Sequence, residues 1–258
     1  MTVENDTATC RNRFVDLRQR ADLTEDTRRA LSAMAHVRRY HSGQTVLFDG
    51  DDSDLVGNVI SGVLRMQKTL ADGRQHIVGL LVEGDMFGRV FNGALHFSVE
   101  AATDAEICAY PRAPFEKLLT RSPDLERVVM LNILNELDRA RDWLIILSSQ
   151  KITTRIAGFL VVMCSQFARV DHLVRNSESG PVVHVPIGRG DLAHLLGTRP
   201  ESVSRAFHAL ARDGVIALLK PDLIRILDME ALVAEAGDED LGGTPNLKET
   251  LQLRPPRS

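Results

Sequence analysis

The string PESVSR, at residues 200–205, carries three polar side chains that suit the edges of DNA bases. On a helix, spacings of three and four residues place Glu201 beside both Ser204 and Arg205 on one face. Arginine can donate two hydrogen bonds to a guanine, and a carboxylate can accept one from a cytosine amino group. We therefore expect Arg205 to read a guanine, Glu201 to accept from a cytosine and to brace Arg205, and Ser204 to contact a base edge or a phosphate.

The residues around this string have the pattern of two short helices joined by a turn. The segment 190–210 reads GDLAHLLGTRPESVSRAFHAL, in which Gly197 separates two apolar clusters. The second cluster would give the second helix its buried face, and it consists of Val203, Ala206, Phe207 and Leu210. We expect Thr198 to cap this helix and Pro200 to occupy its first turn, where a missing N–H costs nothing. The pattern is that of a helix-turn-helix, whose second helix enters the major groove of DNA.

Other polar residues near the two helices complete the candidate DNA-binding surface. Basic side chains can anchor phosphates, which hold a protein in register without reading the sequence. The full set of DNA-binding candidates is Arg189, Thr198, Arg199, Glu201, Ser202, Ser204, Arg205, His208 and Lys220. The same segment would also suit two packed helices with a solvated charged face, because helix pairs with a glycine turn occur as plain packing units.

A long helix is predicted upstream of this segment, after Pro123. Its apolar residues recur at alternating spacings of three and four, at Met130, Ile133, Leu137, Ala140, Leu144 and Leu147. Such a stripe forms one face of a helix. We interpret it as the contact of a homodimer, although the same stripe would suit a helix in the core of a monomer.

Short strands are predicted before this helix, between residues 41 and 110. The runs TVLF, LVGNVI, VLRMQ, HIVGLLV and AEICAY are separated by turns rich in Gly and Asp. Many short strands at regular spacing favour a small antiparallel sandwich or roll. After the long helix, a second helix is expected at 154–168 and a short strand, VVHVP, at 182–186.

Composition and motifs exclude several classes of protein. A chain of 258 residues with 44% hydrophobic residues can bury a core. The net charge of −4 gives no global basic field, so a DNA-binding surface must be local. No secretory signal and no run of about 18 apolar residues is present, which predicts a cytoplasmic protein without a membrane partner. No P-loop, GxSxG or HExxH motif occurs, so we do not expect an enzyme.

The order of these parts resembles the Crp/Fnr family of transcription regulators over about residues 14–236. The stretch 43–89 is similar to the Fnr-type roll, and PESVSR is similar to the E-x-x-S-R signature of the Fnr/FixK branch. That signature implies recognition of an inverted repeat with TTGAT-like half-sites. Pro200 departs from the cAMP-receptor branch, where an arginine stands in that place. The resemblance implies a regulator that binds a palindromic operator in double-stranded DNA and meets RNA polymerase.

The resemblance also implies an α+β fold with a defined domain order. The fold would combine an N-terminal antiparallel β-roll of the cyclic-nucleotide-binding kind, a long dimerisation helix and a C-terminal winged helix-turn-helix. The expected parts are a flexible N-terminus at 1–13, the roll at 14–120, the dimerisation helix at 121–150, the winged domain at 151–236 and a flexible tail at 237–258.

The residues argue against a cyclic nucleotide as the effector. The nucleotide pocket of this family resembles a Gly-Glu pair followed about ten residues later by Arg-Ser, whose guanidinium binds the cyclic phosphate. This chain has Gly84 and Asp85, but Leu95 and His96 stand where the Arg-Ser pair would be. A buried phosphate would therefore lack its counter-charge.

An iron–sulfur cluster also lacks a complete set of ligands. The Fnr type supplies three cysteines near the N-terminus and one from the roll. Cys108 stands where the roll cysteine would and Cys10 lies near the N-terminus, but no other cysteine is nearby, and Cys164 is expected in the core. We expect no metal and no cofactor.

Three alternatives stay open at this point. Heme can be held by one histidine, for which His36, His41, His76 and His96 are candidates by residue type alone. The protein would then be a heme-dependent sensor, or an Fnr-like oxygen or redox sensor with unusual ligands. It could also be an effector-binding module whose C-terminal domain binds protein rather than DNA.

Overall fold

Eight short strands in the N-terminal part pair into two antiparallel sheets. The structure is a computed structural model that describes residues 23–71, 73, 75–91, 93–168, 170 and 172–237. The strands are β1 (His36–Tyr40), β2 (Thr45–Leu47), β3 (Leu55–Ser61), β4 (Leu64–Thr69), β5 (Gln75–Leu81), β6 (Met86–Gly88), β7 (Ser98–Ala101) and β8 (Ala105–Pro111). One sheet has the order β1-β8-β3-β6 and the other has the order β2-β7-β4-β5. The predicted antiparallel roll is confirmed.

The two central strands of the first sheet, β8 and β3, are buried on both faces. Side chains alternate between the faces of a strand, and on β8 Ile107 packs into the roll interior whereas Tyr110 packs into a second apolar cluster. That second cluster includes residues of the helices that follow or precede the roll. Burial on both faces explains why β3 and β8 are nearly continuous apolar runs rather than alternating ones.

Three strands of the roll, β1, β6 and β7, were not predicted from the sequence. In β1 only Val37 is buried, and β6 and β7 contain three and four residues. Strands this short offer too few residues for an alternating pattern to identify them in the sequence. Pairing with strands distant in sequence holds them in place. β1 pairs with β8, β6 pairs with β3, and β7 pairs with both β2 and β4.

Three helices flank the roll: α1 (Glu25–Met34), α2 (Arg112–Leu119) and α3 (Pro123–Ser148). The Thr24 side chain caps α1 by accepting a hydrogen bond from the Thr27 backbone N–H. The Asp124 carboxylate accepts hydrogen bonds from the Thr24 N–H (2.7 Å) and the Thr27 hydroxyl (3.1 Å), which joins the start of α3 to the start of α1. Partial desolvation raises the pKa of Asp124, but these hydrogen bonds and one from the Leu125 N–H together hold it below its usual value.

The chain divides into two compact units within α3, between residues 136 and 137. In the first half of α3, Leu125 and Val128 belong to the apolar cluster of the N-terminal unit. In the second half, the Trp143 ring lies 6.0 Å from the ring of Phe159, which belongs to the C-terminal unit. The division into a dimerisation helix at 121–150 and a winged domain at 151–236 stays a prediction, and the two compact units meet within the helix itself.

The C-terminal unit combines four helices with a small sheet. Its elements after α3 are α4 (Ile152–Gln166), β9 (Val174–Arg175), β10 (Val182–His184), α5 (Arg189–Leu195), α6 (Pro200–Arg212), β11 (Ile216–Lys220), β12 (Leu223–Ile226) and α7 (Met229–Ala236). The strands are ordered β11-β12-β10-β9 and pair antiparallel. Residues 156–164 of α4 are all buried, so α4 is the central helix of this unit. Cys164 is a buried free thiol, which confirms its prediction as a core residue.

Some sequence expectations concern residues outside the described part. The flexible N-terminus at 1–13, Cys10, and the tail at 237–258 apart from Gly237 lie there. Gly237 ends α7 in a left-handed conformation, with φ of 78°. Among the described residues, no helix combines the length and the apolar character that crossing a membrane requires.

Candidate DNA-binding interface

Helix α6 separates the residues of the predicted recognition segment onto two faces. The four residues predicted to be its buried face, Val203, Ala206, Phe207 and Leu210, are buried. Glu201, Arg205 and His208 are exposed on the other side, and Ser202 and Ser204 are partly exposed between the two faces. The helix therefore presents a polar surface at its N-terminal end while its apolar side fixes it to the domain.

The start of α6 differs from the prediction that Thr198 caps it. The N-cap residue is Arg199, with extended backbone angles and no side-chain cap, and Pro200 is the first helical residue. A residue before proline is held out of the helical conformation, so the cap position falls to Arg199 rather than to Thr198. The Thr198 N–H instead donates to the Ala193 carbonyl oxygen at 2.9 Å, within the turn.

Gly197 forms the turn between α5 and α6, as predicted. Its φ is +61°, in the left-handed region that other residues enter at a cost. Helix α5 ends at Leu195, with Leu196 as its C-cap. Leu192, Ala193, Leu195 and Leu196 are all buried, which confirms the short apolar helix of the sequence pattern.

Arg205 contacts a neighbour other than the predicted one. Its Nη2 atom donates to the Ser202 hydroxyl oxygen at 3.4 Å, one turn earlier on α6. The described residues contain no ion pair between Arg205 and Glu201, so the expected brace is absent. Both side chains are exposed, and an exposed ion pair gains little over hydration. This one long contact leaves most of the donors of the exposed arginine to solvent.

Arg189 lies at the first position of α5 and makes contacts within the domain. Its guanidinium carbon is 3.7 Å from the centre of the Phe207 ring, on the buried side of α6. Its Nη2 donates to the Pro221 carbonyl oxygen at 2.6 Å, in the turn between β11 and β12. Desolvation lowers the pKa of Arg189, while the nearby Asp222 carboxylate opposes that shift. Arg189 thus joins three parts of the winged domain.

The strands β11 and β12 and their turn form the wing. Lys220 is exposed at the end of β11, and Pro221 and Asp222 follow it in the turn. The His184 Nε2 atom lies 3.1 Å from the Asp222 carboxylate, which connects β10 to the wing turn. Lys220 and the exposed N-cap residue Arg199 are basic side chains at two separate parts of the domain, the wing and the start of α6.

The roll interior around Leu95 is apolar. Leu95 is buried in the interior cluster together with Met66, Leu81 and Phe87. The Asp85 carboxylate accepts a hydrogen bond from the Val82 N–H at 2.9 Å, so it stabilises the turn before β6. His96, which follows Leu95, is exposed.

The other candidate ligand residues of the roll are dispersed. Cys108 is buried and disulfide-bonded, and its Sγ atom lies 3.1 Å from the Tyr110 hydroxyl oxygen. Burial also raises the pKa of Tyr110. His36 and His41 are exposed, and His76 is partly exposed. Across the part of the chain that the structure describes, no group of three or more His, Cys, Asp or Glu residues could hold a metal.

The predicted dimerisation stripe on α3 is mostly exposed. Met130, Ile133, Leu137, Ala140 and Leu144 are exposed and Leu147 is partly exposed. The exposed fraction reaches 55% at Met130 and 68% at Leu144, which is unusual for large apolar residues. Leu134 and Ile145 are exposed beside the stripe. Their exposure is inconsistent with a helix that packs entirely in the core of the monomer.

Sequence reasoning missed one residue at the helix-turn-helix. The Arg155 side chain, on α4, donates to the Leu196 carbonyl oxygen at 2.7 Å. Arg155 is 41 residues from Leu196 in the chain, and no local pattern marks it. The only available signal was its charge within a helix whose other residues are mostly apolar.

Two models of known protein families match the chain. One describes the cyclic nucleotide-binding domain and matches residues 37–122, and the other describes the Crp-like helix-turn-helix domain and matches residues 154–235. The first covers the roll and the second covers the C-terminal unit from α4 to α7.

Relatives of known name cover most of the chain. The chain is 36% identical to the transcriptional activator protein FnrL of Cereibacter sphaeroides over 217 residues. The aligned region covers 83% of this chain and 86% of that protein. The chain is 34% identical over 202 residues to the nitrogen fixation regulation protein FixK of Bradyrhizobium diazoefficiens, with coverages of 76% and 82%. The solved structure of FixK2 from Bradyrhizobium japonicum matches with a TM-score of 0.68 at 24% identity, over 78% of this chain and 96% of that one, and shows the same fold.

Proposed function

The chain belongs to the Crp/Fnr family of DNA-binding transcription regulators, which are not enzymes, and we propose that it acts as a homodimer on an inverted DNA repeat. The observation that carries this proposal is the arrangement of α6. Its buried side fixes it to the domain, and its N-terminal end presents Glu201 and Arg205 to solvent. A helix presented in this way can enter the major groove.

The half-site that we propose is TTGAT-like. Arg205 would donate to the guanine O6 and N7 atoms, and Glu201 would accept from a cytosine amino group. Ser204 would contact a base edge or a phosphate. Ser202, Thr198, Arg199, His208 and Lys220 would contact the backbone or the groove wall, where they hold the register.

Homodimer formation is supported by the exposed stripe on α3. Large apolar side chains are costly in water, at about 25 cal/mol per Å² of apolar surface. A second copy of the helix would cover Met130, Ile133, Leu137 and Leu144 by presenting the same residues. The two-fold axis of such a dimer would match the symmetry of an inverted repeat.

We propose that DNA binding needs neither a cyclic nucleotide nor an iron–sulfur cluster. The buried Leu95 occupies the position at which the family places a phosphate-binding arginine. Without a cation, a cyclic phosphate would be buried without a counter-charge. Cys108 is the one cysteine of the roll and the chain has three cysteines in all, so a cluster would lack part of the usual set of four thiolates.

The DNA-bound dimer would act on RNA polymerase in the cytoplasm, where the chromosome lies. The activator function named for FnrL supports activation as the outcome. A gel-shift assay with the inverted TTGAT repeat, a single half-site and a scrambled sequence tests the proposal. We expect strong retention of the repeat only. Equal retention of all three DNAs would contradict the operator, and equal retention of the repeat and the half-site would contradict the dimer.

A further inference from the structure

One guanidinium group, that of Arg155, joins the C-terminal ends of two helices. Its Nε atom donates to the Ser149 carbonyl oxygen at 2.8 Å, directly after the last residue of α3. Its Nη1 atom donates to the Leu196 carbonyl oxygen at 2.7 Å, at the C-cap of α5. A longer contact of 3.5 Å reaches the Gly197 carbonyl oxygen. Arg155 therefore bridges the end of α3 and the turn of the helix-turn-helix.

The electrostatics of helix ends favour a cation at this position. The last carbonyl groups of a helix have no partners within the helix, and the helix dipole places partial negative charge there. The forked guanidinium donates from separate nitrogen atoms held in one plane, whereas the three donors of a lysine share a single nitrogen. Arg155 is only partly exposed, so these hydrogen bonds are less weakened by solvent than surface ones.

The glycine of the turn lies against the same guanidinium. A Cβ atom added at Gly197 would lie 3.6 Å from Arg155 Nη1, with no nearer neighbour outside the turn. The guanidinium thus lies against the turn between α5 and α6 at Gly197, the position that has no side chain. A displacement of the guanidinium away from the turn would break its hydrogen bond to the Leu196 carbonyl oxygen.

We propose that Arg155 is a positioning residue that fixes the helix-turn-helix relative to the end of the dimerisation helix. This inference rests on the proposed homodimer. In that dimer, the two α3 helices define the two-fold axis, and the distance between the recognition helices depends on how each α6 is held to its own α3. Arg155 sets that distance and so sets the half-site spacing that the dimer accepts.

The test measures how strictly the protein selects the spacing between half-sites. Dissociation constants are measured for inverted TTGAT repeats with the spacer that wild type binds best and with spacers one and two base pairs shorter and longer. The variants are Arg155→Met, which keeps the aliphatic stem, and Arg155→Lys, which keeps the charge. The matched control is Arg29→Met on α1, which removes the same charge from an exposed side chain.

We expect wild type and Arg29→Met to discriminate equally between the spacers. Arg155→Met should weaken binding to the best spacer more than to the shifted ones. The ratio of the dissociation constant for a shifted spacer to that for the best spacer should then fall roughly tenfold, which corresponds to about one charge-assisted hydrogen bond. Arg155→Lys should lie between wild type and Arg155→Met. A residue that only stabilises the fold would lower the thermal midpoint without changing this ratio.

Two results would overturn the proposal in distinguishable ways. If Arg155→Met keeps the wild-type ratio, then Arg155 does not set the spacing and the dimer proposal stands. Should the methionine variant not fold, the same conclusion is drawn from Arg155→Lys. If wild type itself binds all spacers and the single half-site equally, the proposed dimer is wrong and the inference falls with it.

Discussion

We expect sequence-specific reading to depend most on the Arg205 side chain. It is exposed on α6 and its contact with Ser202 is long, so its donors can turn to a base. We expect Arg205→Ala to cost about 1–3 kcal/mol per half-site and to flatten discrimination at the guanine position. A competition assay with single-base variants of the repeat measures this. If Arg205→Ala keeps the wild-type preference at every position, Arg205 does not read a base.

Lys220 and Arg189 were both predicted from the sequence to anchor phosphates, and the structure gives them different surroundings. Lys220 is exposed on the wing, whereas Arg189 contacts Phe207 and the Pro221 carbonyl. Each phosphate contact releases counterions on binding. The logarithm of the binding constant falls linearly with the logarithm of the salt concentration, and we expect Lys220→Ala to make this slope less steep by roughly one unit.

Arg189→Ala should behave differently from Lys220→Ala in the same salt titration. Because its guanidinium already has partners within the domain, its loss should weaken binding to all sequences with a smaller change in the salt slope. It should also lower the thermal midpoint, because Phe207 and the wing turn lose a shared partner. If Arg189→Ala and Lys220→Ala reduce the steepness of the salt dependence equally, Arg189 contacts a phosphate as Lys220 does.

The α3 helix is the element through which we propose that the dimer forms. An aspartate at Leu144 would place a charge within the apolar stripe, where burial of an unpaired charge costs several kcal/mol. We expect Leu144→Asp to produce monomers in analytical ultracentrifugation, with loss of DNA affinity and an intact roll. Leu137→Asp should act in the same way.

The matched control for that experiment is Asn135→Asp. Asn135 is exposed on α3, on the side opposite to the stripe, and the substitution adds the same charge to the same helix. It should remain a dimer. A wild-type protein that sediments as a monomer at micromolar concentration while binding the full repeat tightly would contradict the role of α3.

The sequence predicted elements well where their periodicity was strong and locally complete. The buried face of α6 follows from helical spacing within 13 residues, and the long apolar strands β3 and β8 follow from their composition. The strands β1, β6 and β7 were missed because pairing with distant strands determines them. The cap of α6 was misplaced by one residue because the proline restriction on Arg199 outweighs the capping preference of Thr198.

Tertiary contacts between charged side chains could not be predicted from spacing. The sequence marks Arg189 as basic and near the helix pair, but it does not reveal that Phe207 and Pro221 surround its guanidinium. Arg155 gave no signal beyond its charge within a mostly apolar helix, because its partners lie at the ends of two other helices. Such residues are recognised only when the fold brings their partners together.

For the whole molecule, the expected independence from an effector makes a direct prediction. Protein purified in air, with no added nucleotide, should bind the inverted repeat because the ligand sets for a cyclic phosphate and for a cluster are incomplete. Iron and sulfide analysis of anaerobically prepared protein should find neither in stoichiometric amount, and calorimetry should detect no tight cAMP binding. Stoichiometric iron and sulfide, or tight cAMP binding, would contradict it.

The central claim, a two-fold dimer that reads two half-sites with two α6 helices, is tested most directly by the helical phase of the half-sites. The two recognition helices should lie about 34 Å apart, one turn of DNA. An insertion of about 5 bp between the half-sites turns one of them to the opposite face of the duplex. We predict that this insertion abolishes high-affinity binding to the repeat in a titration with purified protein. Equal affinity for the original and the lengthened repeat would contradict the account.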